Sequence, residues 1–300
     1  VTGRKKGPSR PPEFGLFLIP EADNYQQLTE LTTYAETAGL DLIGIQDHPY
    51  QRRFLDTWTL ITGLAMRTER LTFFPDVANL PLRNPAVLAK SVASLDIMTG
   101  GRIHLGLGAG AFWAAIAAMG GCHLSPGESV RALAEGIAVI RAMWSDERSV
   151  RVPGTYHLLD GAHPGPRPQH DPGIWLGAKG PRMLALTGQR ADGWLPSAAW
   201  APPEFLAEAG KRIDDAAAAA QRDPRAIRRV YNLSGTITTD GTDQGFLEGP
   251  PERWVDDLCA LHRDQRIDGF IFWPTEGDPV DQVHRYAELV VPAVRANVAS

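Results

Sequence analysis

Residues 14–45 read FGLFLIPEADNYQQLTELTTYAETAGLDLIGI, and this stretch decides the fold. Phe14 to Ile19 is a short apolar run closed by Pro20, which suits a buried strand better than a helix. Leu28, Leu31, Thr32, Ala35 and Ala38 then recur at helical spacing, and Gly39 stops the pattern as a C-cap. Leu42-Ile43-Gly44-Ile45 returns to strand character. A strand, a helix and a second buried strand in immediate succession is the repeating unit of a parallel sheet.

The same alternation runs outward to the C-terminus. Helices are expected from about Thr57 to Ala65 and Pro85 to Met98, with strands at Leu71 to Val77 and Arg102 to Leu107. After a longer connection, Leu133, Ile137, Ile140 and Trp144 mark one face of a helix over Val130 to Trp144. A Pro/Gly-rich excursion from Ser145 to Pro172 interrupts the rhythm. Strands at Gly173 to Gly177, Asp192 to Pro196, Val230 to Thr238 and Gly269 to Trp273 follow, separated by helices at Met183 to Gln189, Pro203 to Ala220 and Pro251 to His262. Val283 to Val294 is the closing helix, and Tyr231, Leu233 and Ile237 would equally suit a hairpin. The prediction is an α/β chain forming a single (β/α)8 TIM barrel with an insertion before strand five. No tandem repeat is visible, and the alanine run Ala216 to Ala220 reads as a solvent-side helix.

Length and composition fit one domain. The 300 residues carry a net charge of −5, with Lys and Arg dispersed rather than gathered into a basic stripe, which argues against nucleic acid as a partner. Cys122 and Cys259 are too few for a disulfide framework and too far apart to mark a zinc site, so a reducing cytoplasm is expected. Val1 to Pro12 lacks an apolar signal region, and no run has the length of a membrane span. Residues 1–13 are read as a flexible arm and 14–300 as the barrel domain. His157, His163 and His170 match no metal spacing and are taken as surface residues; no Gly-x-Ser-x-Gly elbow, P-loop or kinase signature occurs.

Barrel active sites form at the carboxyl ends of strands, which directs attention to the residues just beyond each one. Asp47-His48 offers an acceptor beside a group that exchanges a proton near neutral pH, although a helix cap or a structural histidine uses the same residues. Gly177-Ala178-Lys179-Gly180-Pro181-Arg182 has small residues before a helix start, as a phosphate cradle or an ordinary β/α turn requires. Gly106-Leu107-Gly108-Ala109-Gly110 lacks the third glycine of a dinucleotide fingerprint; it leaves room for a flat ring or makes a crowded bend. Phe112, Trp113, Trp194, Trp200 and Trp273 stand near strand ends, where aromatic walls line pockets for hydrophobic substrates.

Four segments in order carry a family resemblance: Ala35 to Asp41 leading into Asp47-His48; Asn79 to Lys90; Leu95 to Arg102 running into Leu105 to Gly110; and Ile174 to Gly177 through Ala191 to Trp194. Across nearly its whole length the chain resembles the luciferase-like monooxygenase superfamily, with a lean towards the branch of methylene-tetrahydromethanopterin reductases. The resemblance implies an often dimeric two-electron enzyme using the deazaflavin coenzyme F-420 or FMN and a small organic substrate. It places His48 and Asp47 in catalysis and Asp76 and Val77 beneath the cofactor ring, with a non-proline cis peptide near them. Gly108, Ala109 and Gly110 would border the ring edge, and Gly177, Ala178, Lys179 and Gly180 would hold the phosphate. Hydride transfer to or from an organic substrate is the leading expectation; an oxygen-using FMN monooxygenase and a non-catalytic flavin-binding barrel are the alternatives. Deazaflavin dehydrogenases of sugar phosphates place a tryptophan after the Asp-His pair and a glutamate after the glycines. Here Pro49-Tyr50-Gln51-Arg52 and Ala111-Phe112-Trp113 stand there instead, which argues against that substrate.

Overall fold

The structure is a computed structural model that describes residues 10–299. Residues 1–9, where most of the expected arm falls, lie outside the described residues. The first β/α units are β1 (Glu13–Leu18), α1 (Tyr25–Thr37), β2 (Leu42–Ile45), α2 (Thr57–Ala65), β3 (Thr72–Pro75) and β4 (Ala78–Asn79). Then come α3 (Pro85–Thr99), β5 (Leu105–Gly108), α4 (Trp113–Ala118), α5 (Pro126–Met143), β6 (Val150–Val152) and β7 (Leu159–Ala162). The second half contains β8 (Ile174–Leu176), α6 (Pro181–Arg190), β9 (Gly193–Trp194), α7 (Pro203–Ala219), β10 (Arg228–Ile237) and β11 (Glu248–Gly249). The chain ends with α8 (Pro251–Gln265), β12 (Gly269–Pro274), α9 (Pro279–Arg285), a π turn (Tyr286–Val290) and α10 (Val291–Ala299).

The strand order β3-β2-β1-β12-β10-β9-β8-β5-β4 is parallel throughout, and a parallel bridge between Phe73 and Ile103 joins its two ends. β3 and β4 are one interrupted stave, so the barrel has the expected eight. The interruption is the peptide Asp76–Val77, which is cis, where the resemblance placed it.

Phe17, Leu42, Phe74, Trp175, Leu195, Val230 and Ile271 form a separate buried cluster, contributed by staves all around the ring. This is the barrel interior, filled by side chains as the fold demands. A larger cluster lies between sheet and helices. Arg102 fastens one helix layer to the staves: it donates to the carbonyls of Thr99, Leu71, Ala65 and Thr68 and to the Thr68 hydroxyl. The left-handed turn before it, with φ of 71° at Gly100 and 93° at Gly101, explains why glycines precede this arginine.

Several expectations need correction. The excursion before strand five contains an antiparallel hairpin, β6–β7, and the connection after strand four contains α4. Neither segment is long enough for its periodicity to stand out. Val230 to Thr238 is not half of a hairpin, because β10 lies parallel to both β9 and β12. The alanine run is not wholly solvent-side: Ala217 is fully buried, and α6 and α7 approach closely at Gly188. Nor is His170 simply a surface residue. Its Nδ1 lies 2.8 Å from Oδ1 of buried Asp96, whose pKa, against the effect of burial, is held low by hydrogen bonds from His170.

Candidate active site at the barrel mouth

Inward positions alternate along each stave. On β10 these are Val230, Asn232 and Ser234, and on the β3 stave they are Phe74 and Asp76. The apolar plug therefore gives way to polar side chains towards the carboxyl ends, where Asp76 and Asn232 meet across the lumen. Phe17 and Trp273, with ring centroids 5.1 Å apart, continue the apolar wall on one side, and Ile19 and Val77 pack against the same cluster.

Asp76 is 8% exposed, and burial raises its carboxyl to about pKa 7, partly opposed by a hydrogen bond from Asn232. Its Oδ2, together with Asn79 Oδ1, Asn232 Oδ1 and Ser234 Oγ, is buried with no hydrogen-bond partner among the described residues. Four orphaned polar atoms in one mouth are unusual in a native interior, and a ligand or water would satisfy them. Sequence reasoning missed Asn232 and Ser234. The available signal was the polar alternation Asn232, Ser234, Thr236 within an otherwise apolar strand.

Val77 forms a ridge just beyond Asp76. A Cβ on Gly108 would sit 2.8 Å from Val77 Cγ2, and one on Gly177 would sit 3.2 Å from it. The glycines of strand four thus first make room for the protein itself: a Cβ on Gly106 would meet the Pro75 carbonyl oxygen at 2.0 Å. Of the two readings of these glycines, the crowded bend holds at Gly106 and Gly108. Gly110 has φ of 95°, and its missing side chain admits Pro81 and Trp113.

Asp47 and His48 separate in role. Asp47 is 1% exposed and accepts from Arg83 Nη2 at 2.6 Å, Arg83 Nε at 2.8 Å and the Asn79 amide at 2.9 Å. Arg83 also donates to Asp56, the N-cap of α2, at 3.0 Å. The Asp47 carboxylate is consumed by this bidentate lock, so it is not free to meet a ligand. His48 stacks on Tyr50 at 5.3 Å and meets Phe112 edge-on at 5.4 Å. Desolvation lowers its pKa below 6.5, against an opposing pull from Asp47, and keeps the imidazole neutral near pH 7.

After β8 the chain turns into α6, with Gly180 as N-cap and Pro181 at N1. A Cβ on Gly180 would meet nothing within 4 Å, so open space lies before this helix start. Trp194, fully buried, donates from Nε1 to the Ala178 carbonyl at 2.8 Å and anchors the turn. The Gly177 amide donates to the Leu107 carbonyl, and the amides of Ala178, Lys179 and Gly180 make no backbone hydrogen bond among the described residues. Lys179 and Arg182 are exposed beside them. Of the expected aromatic wall, Trp273 and Trp113 are half-buried, whereas Trp194 is core and Trp200 and Phe112 are exposed.

Comparison with known proteins agrees with this geometry. Residues 9–244 match the family model described as luciferase-like monooxygenase. The chain is 35% identical over 214 residues to 5,10-methylenetetrahydromethanopterin reductase of Methanolobus tindarius, a match covering 71% of this chain and 62% of that protein. It is 29% identical over 224 residues to F420-dependent glucose-6-phosphate dehydrogenase of Mycolicibacterium smegmatis, covering 72% of this chain and 66% of that one. Matches to these curated relatives thus span slightly under two thirds of their lengths. An F420-dependent secondary alcohol dehydrogenase, solved with an F420-acetone adduct, shares the fold at a TM-score of 0.84 and 18% identity, covering 95% of this chain and 99% of that one.

Proposed function

The chain belongs to the luciferase-like monooxygenase family, and from that premise we propose that it is a flavin- or deazaflavin-dependent oxidoreductase transferring a hydride between cofactor and a small organic substrate. The observation that carries the proposal is the mouth itself: a Val77 ridge backed by Gly108 and Gly177, unsatisfied buried polar atoms below it, and an open helix start at Gly180. Those features fit a planar ring joined to a phosphate.

Val77 and its glycine backing would support the ring, with Ala109 and Gly110 at its edge, and Ala178, Lys179 and Gly180 would hold the phosphate. When bound, such a cofactor supplies the hydride-carrying ring atom. Neutral His48 would accept the proton released when a substrate alcohol is oxidised, or return it in the reverse direction. Asp47 acts through Arg83 as a positioning residue. The relatives named for F420 dependence favour the deazaflavin over FMN. An organic substrate with apolar surface suits the Phe17–Trp273 wall better than a sugar phosphate.

Fluorescence titration with F-420 and with FMN tests the proposal directly. Tight binding of F-420 with substrate-dependent bleaching supports hydride transfer. Oxygen consumption on mixing with reduced FMN would assign an oxygenase instead, and binding without turnover across a broad substrate panel would assign a carrier. We further infer a homodimer, on the exposed Val87, Ile97 and Met98 of α3 and Met66 beside α2. A cytoplasmic site is supported by the two free thiols. No described helix is long and apolar enough to cross a membrane.

A further inference from the structure

The floor of the mouth has a chemistry that ring support alone does not require. Asp76 and Asn232 project from staves on opposite sides of the barrel and meet above the apolar plug, with Asp76 Oδ2 and Asn232 Oδ1 both buried and unpartnered. No charged group among the described residues pairs with Asp76. Its carboxyl is perturbed by burial and by the hydrogen bond from Asn232, with no charged side chain acting on it. Burial without a counter-ion favours the acid form of a carboxyl, which is a hydrogen-bond donor, whereas Asn232 Oδ1 can only accept. One donor and one acceptor side by side match a carbonyl adjoining an N–H.

We propose that Asp76 and Asn232 form a donor–acceptor socket for the amide- or imide-like edge of a planar heterocycle, with Asp76 donating to its carbonyl and Asn232 accepting from its N–H. The apolar surfaces of Phe17, Trp273 and Val77 around the socket favour a flat, weakly hydrated ring over an open-chain amide. The inference rests on the proposed function, since the ring edge is taken to be the cofactor's imide. It goes further in making ring binding depend on a proton held by this chain. Ionised Asp76 would face a carbonyl oxygen with a second acceptor, so affinity should fall as the carboxyl titrates. The raised carboxyl near pKa 7 puts that fall in the neutral range.

The test measures binding rather than turnover. FMN and a 5-deazaflavin are each titrated beside the same compound methylated on its imide nitrogen, from pH 6 to pH 9, on the wild-type protein, Asp76→Asn and Asn232→Ala. The socket predicts that methylation weakens wild-type binding about tenfold or more, because Asn232 Oδ1 loses its only donor. The methylation penalty should largely vanish in Asn232→Ala. Wild-type affinity should fall by up to about tenfold per pH unit above the Asp76 titration, while Asp76→Asn, which keeps a donor but does not titrate, stays flat there. A pH profile in Asp76→Asn as steep as that of the wild type overturns the dependence on the Asp76 proton. Equal binding of methylated and unmethylated rings by the wild type overturns the socket while leaving the cofactor assignment intact, and this arm needs no variant to fold. Absence of binding by any of the four compounds overturns both.

Discussion

Replacing Asp76 by Asn should stabilise the protein, and by an amount that grows with pH. The carboxyl is raised from 3.8 to about 7 by burial, so the native state holds its proton more tightly than the unfolded chain does. Below pH 4 both states are protonated and the residue costs nothing on this account. Between pH 4 and 7 the unfolded chain releases the proton while the native state keeps it, and native stability declines as pH rises. Above pH 7 both are ionised and the penalty is complete. A shift of roughly three units corresponds to about 4 kcal/mol. Asparagine avoids that ionisation while keeping the size and shape of the side chain. For a chain of 300 residues the unfolding entropy is on the order of 0.6 kcal/mol/K, so the gain at pH 8 should appear as a rise of about 6 °C in Tm. Circular-dichroism melts of both proteins at pH 4.5, 6 and 8 check it. The gain should be small at the lowest pH and full at the highest. A Tm difference independent of pH, or a less stable variant at pH 8, would refute the reasoning.

Arg83→Met should cost about 3–5 kcal/mol in urea unfolding, because it strands the buried Asp47 carboxylate. The double variant Asp47→Asn/Arg83→Met should lose less than the sum of the single losses. Gly188→Ala should cost about 1–3 kcal/mol by overpacking, since the new Cβ would lie 2.3 Å from the Ile213 carbonyl oxygen and drive α6 from α7. Gly180→Leu meets open space and should fold normally yet bind cofactor more weakly than Lys179→Ala does, and the Lys179→Ala deficit should shrink at high ionic strength; wild-type affinity in Gly180→Leu would move the phosphate site elsewhere. His48→Ala should depress turnover with cofactor affinity largely retained, and unchanged turnover would remove His48 from the chemistry.

How much was legible in advance differs between fold and site. Strand and helix positions follow from local periodicity, because burial of one face imposes its period on the sequence. The helix over residues 57–65 and the strand over residues 42–45 are found where the alternation of residues 14–45 and its continuation put them. The strand-end rule likewise pointed to Asp47, His48 and the turn at residues 177–180, and the family resemblance to Asp76, without any contact being known. The hairpin β6–β7 and helix α4 escaped because each offers too few residues for a period to emerge.

The division of labour among those residues needed the third dimension. Asp47 and Arg83 are 36 positions apart, and the parallel pairing of the β2 and β3–β4 staves brings them within 2.6 Å, so a residue expected beside the chemistry is seen to anchor the stave ends. Gly106 and Gly108 look like space for a ligand until the β3–β4 stave is seen to fill it with the Pro75 carbonyl and Val77. Asp76 and Asn232 lie on staves on opposite sides of the ring and meet only because the barrel is narrow enough for side chains to span it. The sequence alone determined which backbone segments become strands and helices, since that depends on neighbours a few residues away. Only the tertiary structure decided which polar groups are satisfied and which are left unpartnered, since burial and partnership depend on residues that are distant along the chain and adjacent in space.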